Sequence, residues 1–246
     1  MTGGIVLGLD ATLLASGVRA EIGWDYIRFP HAVVFGATGS GKTYFTRLLL
    51  AKIGKWIPDA EIMVCDYKAD EDFFFLSRCV NFFRFDQCAD GLDAALKKLE
   101  SRQKGLDASR SFFLLMFDEW AAFLNSLPKR EAEDAKRKLS VLLMLGRSFG
   151  VHVLISQQRV DASYFNAARD NFSVVVGLGR LSRESVQMMF SDYKDEIDPV
   201  KPRGQGTALI GNRLFNLFVP QVENPKAMEE AILSAVRRAE ERRDEN

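Results

Sequence analysis

Apolar positions along the chain fall into two kinds of pattern. Short, almost unbroken apolar runs recur at "HAVVFG", "AEIMVCDYK", "SFFLLMFDEW", "VHVLISQQR" and "NFSVVVGLG". Runs of this length that do not alternate fit strands buried on both faces. Between them lie segments with apolar residues at helical spacing. "TYFTRLLLAKIGKW" predicts a helix that stops before Pro58, and "ADGLDAALKKLESRQKG" another, with Asp90 as its cap and Leu92, Ala95, Leu96 and Leu99 on one face. "KREAEDAKRKLSVLLMLGRSFG" predicts a third helix, polar at its start and apolar later, and "RESVQMMFSD" a short fourth. "NFFRFD" reads as a short strand, and "GTALIGNRLFNLFVP" as a closing hairpin that turns at Gly211-Asn212.

Strands alternating with helices predict an α/β fold: a mainly parallel sheet covered by helices on both faces. Three stretches organise the chain. Residues 1–30 hold two short strands, "GIVLGLDAT" and "EIGWDYIRF", as a lead-in; 31–222 form the main domain; 223–246 form a charged C-terminal helix. That helix starts at Asn224-Pro225, a cap and first-turn pair. Met228, Ala231, Ile232, Ala235, Val236 and Ala239 make its apolar stripe, which predicts docking on the main domain.

Composition narrows the class. The 246 residues suit one large domain. Lys+Arg and Asp+Glu both number 33, so the net charge is zero and there is no global basic signature, though a local patch remains open. No segment has the length of a membrane span and no secretory leader is evident, so a cytoplasmic location is expected. Cys65, Cys79 and Cys88 lack C-x-x-C spacing and are odd in number, which argues against a disulfide framework. Cys65 and His152 sit in apolar runs and read as core.

The candidate chemistry falls at strand ends. Gly36-Ala37-Thr38-Gly39-Ser40-Gly41-Lys42-Thr43 satisfies G-x-x-x-x-G-K-[ST] between a strand and a helix, the setting of a phosphate-binding loop. Glycines there let backbone N–H groups approach and surround an anion. Lys42 would reach the β- and γ-phosphates, and Thr43 would ligate Mg²⁺. Asp118 ends a buried apolar strand, where it can hold Mg²⁺ through a water; Glu119 follows, where a carboxylate can polarise an attacking water. An Asp-Glu pair suits hydrolysis of ATP against water rather than transfer to a small-molecule acceptor. Gln157 and Gln158 end a further strand. Only one can point inward, because side chains alternate, and a neutral amide there can sense the γ-phosphate. Asp66 ends another strand at the same side of the sheet.

These motifs together resemble the motor core of the FtsK/SpoIIIE translocases within the FtsK/HerA group. "RFPHAVVFGATGSGKTYFTRLLL" is similar to that group's Pro-His strand and phosphate loop, "FFLLMFDEW" to its Asp-Glu strand, and "GRSFGVHVLISQQRVDA" to its R-A-x-G-I-H-L-x-x-A-T-Q-R-P stretch. "IMVCDYKAD" resembles a strand ending Asp-Pro-Lys, with Tyr67 in place of proline, and Val160 replaces a second proline. The resemblance covers about residues 29–220. It implies a P-loop NTPase with a RecA-like mainly parallel sheet, ATP and Mg²⁺ as ligands, a homo-oligomeric hexameric ring and double-stranded DNA as cargo. By residue match it implies Lys42 and Thr43 on phosphate and metal, Asp118 on metal, Glu119 activating water, and Gln158 as sensor. Arg147 matches the arginine of R-x-x-G-[IV]-H. Arg147, Arg180 and Arg183 are the candidates for an arginine supplied across a subunit interface.

The departures shape the expected role. The chain shows no counterpart of the membrane region, long linker or winged-helix domain of chromosome translocases, and "AARDNFS" stands where that family has Lys-Ala-Asn. A compact motor for plasmid, phage or conjugative-element transfer, replication or packaging is therefore expected. "NSLPKREAEDAKRK" and "KPRGQG" are the candidate DNA contacts, while the aromatic run "DEDFFFLSRCVNFFRF" reads as core. A nucleotide-switched module that recruits a relaxase, replication or secretion protein is the alternative.

Overall fold

The computed structural model describes residues 4–244. The chain begins with β1 (Gly4–Asp10), α1 (Ala11–Ala15), β2 (Glu21–Asp25), β3 (His31–Phe35), α2 (Lys42–Trp56) and β4 (Glu61–Asp66). Next come β5 (Phe82–Arg84), α3 (Cys88–Gln103), β6 (Phe113–Asp118), α4 (Trp120–Ser126), α5 (Lys129–Leu145) and β7 (Val151–Gln157). The last third holds β8 (Val174–Leu178), α6 (Arg183–Met189), β9 (Gln205–Ile210), β10 (Arg213–Phe218) and α7 (Pro225–Asp244).

All ten strands join one sheet in the order β2-β1-β10-β9-β8-β3-β7-β6-β4-β5. From β8 to β5 every pairing is parallel, and from β8 to β2 every pairing is antiparallel. The expected mainly parallel α/β sheet is thus present, extended on one side by an antiparallel meander. The hairpin turns at Gly211-Asn212, with Ile210 opposite Arg213 and Gly211 at φ +59°. The two lead-in strands form the far edge of this sheet, with β1 against β10.

Alternation along the central strands separates two cores. Ala32 and Val34, Ile62 and Val64, Leu114 and Met116, and Leu154 face the layer that contains α2 and α7. Val33 and Phe35, Met63 and Cys65, Leu115 and Phe117, and Val153 and Ile155 face the layer of α3, α4, α5 and α6. Both faces are buried, which is why these strands read as continuous apolar runs.

α7 docks on α2 as its stripe predicts. Met228, Ile232, Ala235 and Val236 are buried, and Arg238 donates to the carbonyls of Gly54, Ile57 and Ala60. The Ala239 side chain lies outside the described residues. Asn224 Oδ1 accepts from Ala227 N at 3.1 Å, the expected cap.

Local chemistry corrects two boundaries and adds one element. "GIVLGLDAT" is not strand throughout: Asp10 Oδ1 accepts from Thr12 N and Leu13 N and starts α1. Asp90 is not the cap of α3; the helix starts at Cys88, so Asp90 lies in its first turn, where its charge favours the helix dipole. α4, directly after the Asp-Glu pair, has too few residues for its period to register in the sequence.

Candidate nucleotide site

The phosphate loop joins the carboxyl end of β3 to the start of α2. Gly36 has φ +153°, and a Cβ there would stand 2.3 Å from the Leu178 carbonyl oxygen. Only glycine lets the loop lie this close to the end of β8. Gly41 caps α2 in a left-handed conformation, φ +99°. The loop is braced from the other side as well: Gly204 N donates to Ser40 O at 3.3 Å, just before β9. Lys42 is buried, and its Nζ donates to Gly36 O at 2.9 Å. Burial holds its pKa below the ordinary lysine value, opposed by the charges of Glu119 and Asp118. Thr43 follows in the first turn of α2, half-buried.

The carboxylates converge on the same place for a reason of parity. Asp66 continues the row of Ile62 and Val64; Asp118 continues Leu114 and Met116; Ser156 follows Leu154. All three therefore lie on the α2 face. The strand register sets them side by side, Asp66 opposite Asp118 and Asp118 opposite Ser156. Burial raises the Asp118 pKa to about 7, with Glu119 and Asp66 adding to the rise, while a hydrogen bond from Ser156 and the charge of Lys42 oppose it. Burial also raises Asp66 to about 6. Its Oδ1 accepts from Ala69 N at 3.0 Å, and its Oδ2 is buried without a partner.

A row of buried, under-compensated carboxylates beside a phosphate loop suits a hard divalent cation. Mg²⁺ is usually held by one or two carboxylates plus phosphate oxygens and waters. Thr43 and Asp118 are the residues that could hold it.

Glu119 adopts a left-handed conformation, φ +55° and ψ +47°, as the cap of α4, and its N–H donates to Ser156 O at 2.7 Å. For a residue with a Cβ this conformation costs about 1–2 kcal/mol. It turns the chain sharply from β6 into α4, and the carboxylate stays partly exposed next to buried Asp118.

The two glutamines separate as alternation requires. Gln157 is fully buried on the opposite face, its amide atoms unpartnered. Gln158 lines a cavity of about 660 Å³ together with Gly36, Ala37 and Thr38. Arg180 and Arg183 line this same cavity, beside the chain's own phosphate loop. Arg147 does not. It is exposed in the turn that precedes β7, at the other end of a strand about 20 Å long.

Ser156 was not singled out from the sequence, although its position two residues before Gln158 carries the parity signal. Three of the five cations in the first proposed DNA stretch are paired locally: Lys136 with Glu133, Arg137 with Asp134, and Lys138 with Asp93 and Asp134. "KPRGQG" abuts the phosphate loop, with Arg203 Cγ 4.0 Å from a Cβ placed on Gly41. In the aromatic run, Phe73 and Phe82 are core, but Phe74 and Phe85 are more than half exposed.

The family described as "Helicase HerA, central domain" matches residues 11–83. A curated "Ftsk domain-containing protein YdcQ" of Bacillus subtilis (strain 168) is 27% identical over 226 residues, which cover 83% of this chain and 46% of that protein. The conjugation coupling protein TcpA of pCW3, solved with ATPγS, superposes with a TM-score of 0.72 at 18% identity, covering 95% of this chain and 70% of that one. This chain has an FtsK/HerA-like ATPase fold.

The same FtsK/HerA-like fold recurs in the cytoplasmic domain of the Type VII secretion ATPase EccC of Thermomonospora curvata, with a TM-score of 0.69, 19% identity, and coverage of 95% of this chain and 31% of that one. The packaging NTPase B204 of Sulfolobus turreted icosahedral virus 2, in complex with AMPPCP, matches with a TM-score of 0.55 at 13% identity over 78% of this chain and 98% of its own. The chain spans less than half the length of the curated relative it matches. None of its described helices is long and apolar enough to cross a membrane.

Proposed function

We propose that this FtsK/HerA-like chain is an ATP-hydrolysing motor that moves double-stranded DNA in transfer, replication or packaging of a mobile element. The observation that carries the ATPase part is the convergence of Lys42, Asp118 and Glu119 at the carboxyl ends of β3 and β6. Lys42 neutralises the β- and γ-phosphates as negative charge shifts onto the leaving diphosphate. Glu119 orients a water for in-line attack and accepts its proton, and the Gln158 amide positions that water against the γ-phosphate. Asp118, oriented by Ser156, would hold Mg²⁺ together with Thr43; the ion supplies charge neutralisation across the phosphates when bound. Arg147, at the far end of β7 from its own loop, would serve a neighbouring subunit's nucleotide in a hexameric ring.

Similarity to a conjugation coupling protein and a viral packaging NTPase supports DNA as cargo. Similarity to a secretion ATPase, and the local pairing of the α5 cations, favour a second reading in which the motor acts on a protein partner. ATP hydrolysis measured alone, with single-stranded DNA and with long duplex DNA separates them. The DNA-motor reading expects strong stimulation by duplex, lost in Lys42→Ala and reduced about 10²–10⁴-fold in Glu119→Gln. Slow turnover indifferent to every nucleic acid would sink it and favour the protein-directed reading.

A further inference from the structure

The cavity beside the phosphate loop is lined by three arginines, Arg159, Arg180 and Arg183, and by no carboxylate. None of these guanidinium groups has a hydrogen bond or ion pair with another described residue. Glu184, which lies outside the lining, is the carboxylate that feels Arg159 and Arg183. Three cations drawn round one cavity repel each other unless an anion shares it. Guanidinium forks suit phosphate oxygens in particular.

The cavity is joined to the phosphate loop rather than merely near it. Gly36, Ala37 and Thr38 belong to both. A Cβ on Gly179 would stand 2.9 Å from Ser40 Cβ, so the turn that presents Arg180 packs directly on the loop. Ser182 Oγ accepts from Ser185 N at 3.1 Å and fixes the start of α6, where Arg183 is the first residue.

We propose that Arg180 and Arg183, with Arg159, form an anion site in cis that takes the terminal phosphate of the nucleoside triphosphate bound by the same chain. This rests on the ATP-site reading above and adds to it a built-in distinction between triphosphate and diphosphate. Arg180 and Arg183 accordingly do not serve a neighbouring subunit, which leaves that role to Arg147.

The test compares binding of a non-hydrolysable fluorescent ATP analogue with fluorescent ADP, in the full chain and in Arg180→Gln/Arg183→Gln. The double variant is expected to lose about tenfold or more in triphosphate affinity and to keep its ADP affinity. Arg180→Lys/Arg183→Lys is expected to recover part of the loss. Equal loss for both nucleotides, or loss for neither, overturns the assignment. Should the double variant melt early, Arg183→Gln alone carries the same comparison. Mixing Arg180→Gln/Arg183→Gln with Lys42→Ala is expected to restore no hydrolysis; restored activity would place these arginines across the interface and overturn the cis site. A wild-type chain that binds neither nucleotide overturns the ATP-site reading itself, and this proposal with it.

Discussion

Gly36 and the two histidines show how single positions carry distinct physical loads. Gly36 is close-packed against Leu178 O, with no room for a methyl group. Gly36→Ala is expected to displace the phosphate loop, to lower stability by about 1–3 kcal/mol as an overpacked site, and to abolish nucleotide binding measured by titration. Unchanged binding would show that the loop does not depend on contact with β8. His31 and His152 are buried, and burial lowers their pKa values to about 3 and about 4, from 6.5. The folded chain thus refuses protons that the unfolded chain takes up. Stability from this source is full above about pH 6.5 and declines as pH falls through that value towards 4. His152 stacks on Phe112 with ring centroids 4.3 Å apart. His152→Phe keeps an aromatic ring there and removes one titrating group, so the slope of stability against pH between 6.5 and 4 is expected to flatten. Urea unfolding across that range reads the slope, and an unaltered slope would count against it.

At the scale of elements, the α2–α7 contact decides whether the C-terminal helix is part of the fold. A Cβ on Gly54 would stand 2.3 Å from Ala231 O and 3.2 Å from Ala235 Cβ. In an isolated helix Gly→Ala is stabilising by about 1 kcal/mol. Here Gly54→Ala is expected to lower the urea midpoint instead, because overpacking a backbone contact costs about 1–3 kcal/mol. A raised midpoint would mean that α7 gives way easily and contributes little. Arg47 reinforces the same contact through Glu229, at 2.6 Å. The element β7 works differently, as a ruler. Its length keeps Arg147 away from Gln158, so one strand carries a candidate for the chain's own site at one end and a candidate for a neighbour's site at the other.

The whole molecule makes that separation testable. If catalysis needs the chain's own Lys42 and a neighbour's Arg147, then Lys42→Ala and Arg147→Ala are each inactive alone. A mixture is expected to regain hydrolysis at interfaces where an intact loop meets an intact arginine. Activity in the mixture no higher than in either variant would remove Arg147 from catalysis. The sheet as a whole places every candidate ATP-site group except Arg147 at the carboxyl ends of its parallel strands, as open α/β sheets do.

Much of this was legible in residue order. The phosphate loop, the Asp-Glu strand end and the docked C-terminal helix are local patterns, each complete within about twenty residues and set by period, glycine and capping. Asp66, Asp118 and Gln158 could be placed at strand ends because buried parallel strands announce themselves as apolar runs. The sequence could not show that Ser156 orients Asp118, which of Gln157 and Gln158 faces the phosphate loop, or that Arg180 and Arg183 join the chain's own loop. Those facts depend on strand order and register, which bring together residues far apart in the chain. Pairing of β3 with both β7 and β8 unites Gly36, Gln158 and Arg180 at one cavity. Local periodicity carries no record of which strands become neighbours; long-range packing alone selects them.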